Sequence, residues 1–251
     1  MGAGTQVVIT GMGVVAPGGV GLDEFHEAQL AARSAVRRVP ELERVPGLVS
    51  IAAPVELPPA LRMDRREALR TDRCVQLASA AAGLAVEHAK LDLEDVDRSR
   101  VGVLIGTGAG GMGASEESLR TMVADGAPAV RARTIPMLML NAPAAHVAIR
   151  FGLTGPCASV ATACASGGDS IIAAVQAIRS GEADVMLAGG TEAPITPFVM
   201  ASFGALGALA GDARGPEAAS RPFDAGRTGF VMAEGSGVLV LESAEHAAAR
   251  G

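Results

Sequence analysis

Cys164 lies in Val160-Ala161-Thr162-Ala163-Cys164-Ala165-Ser166-Gly167-Gly168, where a β-branched opening gives way to a run of small residues. The pattern predicts a short strand over 159–162 running directly into a helix over 165–180, so the thiol falls at a helix start. A thiol there feels the positive end of the helix dipole and nearby free N–H groups, which favours the nucleophilic thiolate. Small neighbours leave room for an acyl carbonyl to approach, and backbone N–H groups at the turn are placed to hold an oxyanion. The ordinary state of a free cysteine is a buried packing residue, and spacing alone leaves the two readings level. The helix behind the thiol is apolar nearly all round and is expected to be buried.

Other chemistry-bearing patterns are weaker. Gly11-x-Gly13-x-x-Ala16 and Gly106-x-Gly108-x-x-Gly111 match the dinucleotide fingerprint by letter. That fingerprint also needs an acidic residue about 20 positions on, at the end of the next strand. The segment near position 31 has no acid, while Glu116, Glu117 and Asp125 fall in a helical pattern or its loop. The glycines therefore read as tight strand-to-helix turns, and no cofactor is expected. Cys74, Cys157 and Cys164 have no metal-ligand spacing, so no metal is expected.

Composition narrows the partners. Hydrophobic residues make up 49% of the 251 and charged residues 19%, which fits a globular chain rather than a disordered one. A net charge of −6, with no Trp, no Tyr and 6 Phe, argues against nucleic acid, whose single strands need aromatic platforms. Apolar runs stay below the ~18 residues of a membrane span, and no basic and then apolar leader opens the chain. No membrane partner is expected, and the expected location is cytoplasmic, with reduced thiols.

The elements that must position Cys164 alternate along the chain. Gln6–Thr10 reads as a strand stopping at Gly11-Met12-Gly13, followed by a helix over 22–32 with Leu22, Phe25 and Leu30 as core positions. Residues 34–71 are irregular, with five prolines from Pro40 to Pro59. A helix over 72–90 has Asp72 as N-cap, and strands are expected at 101–105, 185–188 and 238–241. Further helices are expected at 115–123, 138–151, 199–209 and 244–250. This order predicts one α/β domain with a largely parallel sheet covered on both faces.

The segment around Cys164 resembles the nucleophile elbow of the β-ketoacyl-acyl carrier protein synthases, the ketosynthases of fatty-acid and type II polyketide pathways. Val8–Pro17, Asn141 with Gly155-Pro156, Ala183–Glu192, Ser220–Asp224 and Gly229–Gly235 match the same family in order. The resemblance implies a thiolase-like layered αβαβα fold, of which residues 1–251 correspond to the first, N-terminal half. It implies Cys164 as the acyl-accepting nucleophile, with acyl and malonyl thioesters of an acyl carrier protein as substrates. It also implies two histidines from the second half, in His-Gly-Thr and Gly-His motifs. Neither motif occurs here: the four histidines are His26, His88, His146 and His246. A second chain bearing them is the expected partner, in an oligomer built across the ketosynthase dimer interface. A non-catalytic chain-length-factor-like subunit and a thiolase are the competing readings, and the presence of Cys164 weighs against the first.

Within that resemblance, Ala109 and Phe230 are expected at the acyl pocket, Ala109 standing where related enzymes often carry Ile. Cys157 is expected to pack, His146 to be structural and His246 to be a solvated surface residue. Arg62, Arg65, Arg66, Arg70 and Arg73 form a basic run on an acidic chain. Such runs are commonly solvated faces, but an acidic carrier protein would be steered by this one.

Overall fold

The computed structural model describes residues 5–251. Its elements run β1 (Val7–Ala16), β2 (Gly19–Val20), α1 (Leu22–Leu30), β3 (Arg37–Arg38), α2 (Pro40–Glu43), β4 (Ile51–Ala52), α3 (Arg65–Ala68), α4 (Arg73–His88) and β5 (Val101–Gly106). They continue as α5 (Met112–Asp125), α6 (Thr134–Leu138), α7 (Ala142–Phe151), β6 (Cys157–Ala158), α8 (Ser166–Arg179), β7 (Val185–Glu192), α9 (Pro197–Ala205), β8 (Gly235–Ser243) and α10 (Ala244–Arg250). Six strands form one sheet in the order β2-β1-β8-β7-β5-β6, while β3 and β4 pair separately.

The sheet is mixed rather than largely parallel. β5 runs parallel to β6 and β7, but β8 is antiparallel to both β7 and β1. Glu192 at the end of β7 pairs with Gly235 at the start of β8, so the chain leaves and re-enters the sheet at the same end and must reverse. Side-chain alternation along β5 shows the layers. Val101, Val103 and Ile105 pack with α4 and α7 on one face, while Leu104 packs with Ala174 and Ile178 of α8 on the other. Period-two alternation with both faces apolar is what a doubly covered strand requires.

Gly11 and Gly13 do not end the first strand. β1 continues through both, and α4 lies so close that a Cβ on Gly11 would strike the Ala85 carbonyl and one on Gly13 the Ala81 carbonyl. These glycines serve close strand-to-helix packing instead of a turn. Alanine-rich α4 completes the fit, with Ala78, Ala81, Ala82 and Ala85 fully buried.

Three further expectations change. α1 buries only Ala28, and Leu30 is 75% exposed, because the helix rests on the short β2 hairpin rather than on the central sheet. The helix expected over 138–151 begins later, at Ala142: α6 ends at Leu138, and α7 starts anew with Pro143 in its first turn, where a missing N–H costs nothing. α8 is buried only along the stripe Ser166, Ser170, Ala174 and Ile178, which meets β5 and β7. Its other side is uncovered among the described residues, leaving Ile172 58% exposed. No helix among the described residues is long and apolar enough to cross a membrane.

Candidate active site

The strand expected over 159–162 lies slightly earlier, at β6, where Cys157 and Ala158 pair with Val103 and Leu104. Beyond Ala158 the chain is tied down by single bonds: Ser159 Oγ donates to the Ile105 carbonyl at 2.7 Å, and Thr107 N donates to the Val160 carbonyl at 3.3 Å. The ladder is thereby exchanged for a turn at the end of β5. Ala163 then takes a left-handed φ of 52°, a conformation a non-glycine residue adopts only where its surroundings impose it.

Those surroundings are explicit. Ser166 Oγ accepts from Thr162 N at 2.9 Å and donates to the Ala163 carbonyl at 2.6 Å, bridging the turn from both sides. Thr162 Oγ1 donates to Asp169 Oδ2 at 2.6 Å, fastening the turn to the first turn of α8. The 3₁₀ turn Ala163–Ala165 leads straight into α8, which seats low on the sheet because Gly106 and Gly190 have no side chains. A Cβ on Gly106 would overlap Ser166, and one on Gly190 would lie 3.0 Å from Gly167 Cα. Cys164 is therefore presented, exposed, at the apex of a strained turn at a helix start.

The other thiols differ. Cys74 on α4 is fully buried, and burial, reinforced by Asp72, pushes its pKa far above the ordinary thiol value. Cys157, expected to pack, is exposed on the edge strand β6, and partial desolvation raises its thiol. Cys164 alone combines exposure with a helix start.

Ala109 lies in the loop after β5, half-buried, and neighbouring Gly108 faces the Ala163 carbonyl, to which an added Cβ would stand at 3.5 Å. That loop is held by Glu192, a residue sequence reasoning gave no role. Glu192 Oε2 accepts from Gly108 N at 2.6 Å and Ala109 N at 3.2 Å, and Oε1 accepts from Thr107 Oγ1 at 3.1 Å. The available signal was an acid ending a buried strand beside the glycine loop, at the strand end where open α/β sheets place their ligands. The ring of Phe230 meets Phe203 of α9 edge-on at 5.6 Å and lines an open cleft with Phe223 and Arg227.

The arginines separate into two groups. Arg73 is committed to the interior, with Nη2 donating to Glu234 Oε1 at 2.9 Å and to the Val55 carbonyl at 2.7 Å. Arg62 is exposed with Nε donating to the Leu57 carbonyl at 2.7 Å. Arg65, Arg66 and Arg70 are exposed and form no ion pair among the described residues. The histidines are accounted for locally. His88 Nδ1 accepts from Met12 N at 3.1 Å, and desolvation lowers the half-buried His146. His246 is not a free surface residue, because its Nδ1 is 2.6 Å from the buried Glu242 Oε2.

Residues 5–247 match the model of the β-ketoacyl synthase N-terminal domain. The chain belongs to the β-ketoacyl synthase family. It is 39% identical over 252 residues to the 3-oxoacyl-acyl-carrier-protein synthase 2 of Staphylococcus aureus N315, covering 100% of this chain and 61% of that protein. Among solved structures, a type II polyketide ketosynthase in complex with its acyl carrier protein and bound to a hexaketide matches at TM-score 0.87 and 35% identity, over 99% of this chain and 60% of the other. The ishigamide ketosynthase/chain length factor matches at TM-score 0.89 and 31% identity, over 99% and 61%. The β-ketoacyl synthase residues described here thus have the thiolase-like ketosynthase fold and span about 61% of the length of such relatives.

Proposed function

We propose that this chain supplies the acyl-accepting part of a β-ketoacyl-acyl carrier protein synthase, acting in fatty-acid or type II polyketide synthesis in the cytoplasm. The observation that carries the reading is Cys164, exposed on a left-handed turn at the start of α8 in a chain of this family. The Cys164 sulfur attacks the carbonyl of an acyl-carrier thioester. A new S–C bond forms, the bond to the carrier sulfur breaks, and the carrier thiol leaves with a proton. The following condensation joins this acyl group to a malonyl unit with loss of carbon dioxide.

That second step needs groups that polarise the malonyl thioester carbonyl, and in this reading two histidines from a C-terminal half provide them. A second chain carrying His-Gly-Thr and Gly-His motifs is the proposed source. The exposed outer side of α8, with Ile172 at its middle, supports a further polypeptide layer against it. Co-expression with such a chain is expected to give β-ketoacyl products, which Cys164→Ala abolishes. Product formation unaffected by that substitution would remove the reading.

The acyl carrier is proposed to dock on Arg62, Arg65, Arg66 and Arg70, with Arg73 left out because Glu234 already holds it. Exposed charges act mainly on association rate and are screened by salt. Changing Arg65 and Arg66 to Glu should slow carrier association measured by stopped flow, with the difference from wild type shrinking as salt rises. Unchanged association at low salt would make these arginines a solvated face.

A further inference from the structure

Glu192 closes β7 at the end of the sheet where the Cys164 turn sits, and every hydrogen bond of its carboxylate runs to one loop. Thr107 Oγ1, which donates to Oε1, also accepts from Gly110 N at 3.0 Å. One carboxylate therefore holds four consecutive residues, three directly and Gly110 through the threonine hydroxyl. Two backbone N–H groups and a hydroxyl all donate, so the partner must be an acceptor, and charge-assisted hydrogen bonds are about twice as strong as neutral ones. Gly108 leaves space for the carboxylate, since a Cβ there would come within 3.1 Å of Oε2. The same Cβ would stand 3.5 Å from the carbonyl oxygen of Ala163, the residue that turns the chain into Cys164, so the carboxylate and the Cys164 turn meet at Gly108. Because the N–H groups of Gly108 and Ala109 are committed to Glu192, the loop contributes its shape at the thiol rather than its donors.

We propose that Glu192 is a positioning residue that fixes the Thr107–Gly110 loop and, through Ala109, sets which acyl chains reach Cys164. This rests on the reading of Cys164 as acyl acceptor and of Ala109 as a pocket residue. Glu192 does not touch the reacting atoms. It acts by holding Ala109 where a long chain can pass, while a short chain that stays near the thiol is little affected by the loop.

The test is the rate of Cys164 alkylation by N-ethyl and by N-octyl iodoacetamide in the full chain, located by peptide mass spectrometry and accompanied by thermal unfolding. Glu192→Ala should lower the octyl rate by up to about 10²-fold, the scale of an ångström-sized misplacement, with the ethyl rate little changed. Thr107→Val removes one arm of the clamp and should shift the octyl-to-ethyl ratio the same way, but less. Glu192→Gln keeps an acceptor oxygen for the two N–H groups and an amide for Thr107, and should restore most of the wild-type ratio. Equal ratios in all four proteins would overturn the proposal, as would ethyl and octyl rates falling together with the melting temperature. If Glu192→Ala does not fold, the Thr107→Val ratio decides. A separate arm offers an octanoyl-carrier thioester to the wild type. Failure to load Cys164 there removes the nucleophile reading, whereas loading with an unchanged alkylation ratio removes only the role of Glu192.

Discussion

Residues 1–251 on their own should give no measurable malonyl decarboxylation or chain elongation, while still presenting a thiol that accepts an acyl group. The expected gap is large because, in the proposed division, the C-terminal half supplies both the two histidines and a second oxyanion donor to complement the N–H groups at the Cys164 turn. A positioned acid or base contributes about 10²–10⁴-fold, and an oxyanion donor about 10²–10³-fold. None of the four histidines replaces them. His88 is tied to the β1 backbone, His246 to Glu242, His146 lies on α7, and His26 lies on α1. Radiolabelled malonyl-carrier turnover, with and without a C-terminal ketosynthase half, measures the gap. Full elongation by these residues alone would contradict the division of labour proposed for them.

The second large effect concerns stability. Glu242 on β8 has a side chain with 0% exposure, yet both its oxygens are occupied. Arg250 approaches with Nη2 at 2.6 Å and Nε at 2.8 Å, His246 with Nδ1 at 2.6 Å, and Thr10 donates its hydroxyl. Burial alone would raise this carboxyl, but the bonds from Arg250, Thr10 and His246 outweigh it and leave the pKa lowered. A lowered folded value means that the contribution is fully present above the unfolded carboxyl pKa and is lost as pH falls through the folded value. Glu242→Gln near neutral pH should cost about 3 kcal/mol, the lower end for breaking a buried pair, since Arg250 keeps some solvent contact. At about 2–4 °C per kcal/mol for a chain of this size, the melting temperature should fall by roughly 6–12 °C. The difference between variant and wild type should shrink as the pH is lowered through the acid range. A difference independent of pH would place the effect in packing rather than in the charge.

Particular residues show how far the sequence could be read. The Asp72 cap was legible because its side chain bonds Cys74 N, two residues ahead, an interaction local in the chain. Its second bond, to Ala114 N at 2.7 Å, joins elements 42 residues apart and left no local trace. Gly11 and Gly13 looked like turn residues because their role depends on α4, about seventy positions on. The direction of β8 was hidden for the same reason: apolar periodicity gives a strand but not its sense, which here follows from where the 193–234 connection returns. At the site, the small residues around Cys164 marked the turn. Ser166 and Asp169 hold that turn through partners three to seven residues away, whereas Glu192 reaches Gly108, 84 positions earlier, and its role appears only once β5 and β7 are paired.

The account turns on where an acyl group lands. Incubation with an acyl-carrier thioester followed by peptide mass spectrometry should find the acyl mass on the peptide containing Cys164 and nowhere on Cys157 or Cys74, and Cys164→Ala should carry none. Acylation that persists in Cys164→Ala, or that appears on Cys157 instead, would contradict it.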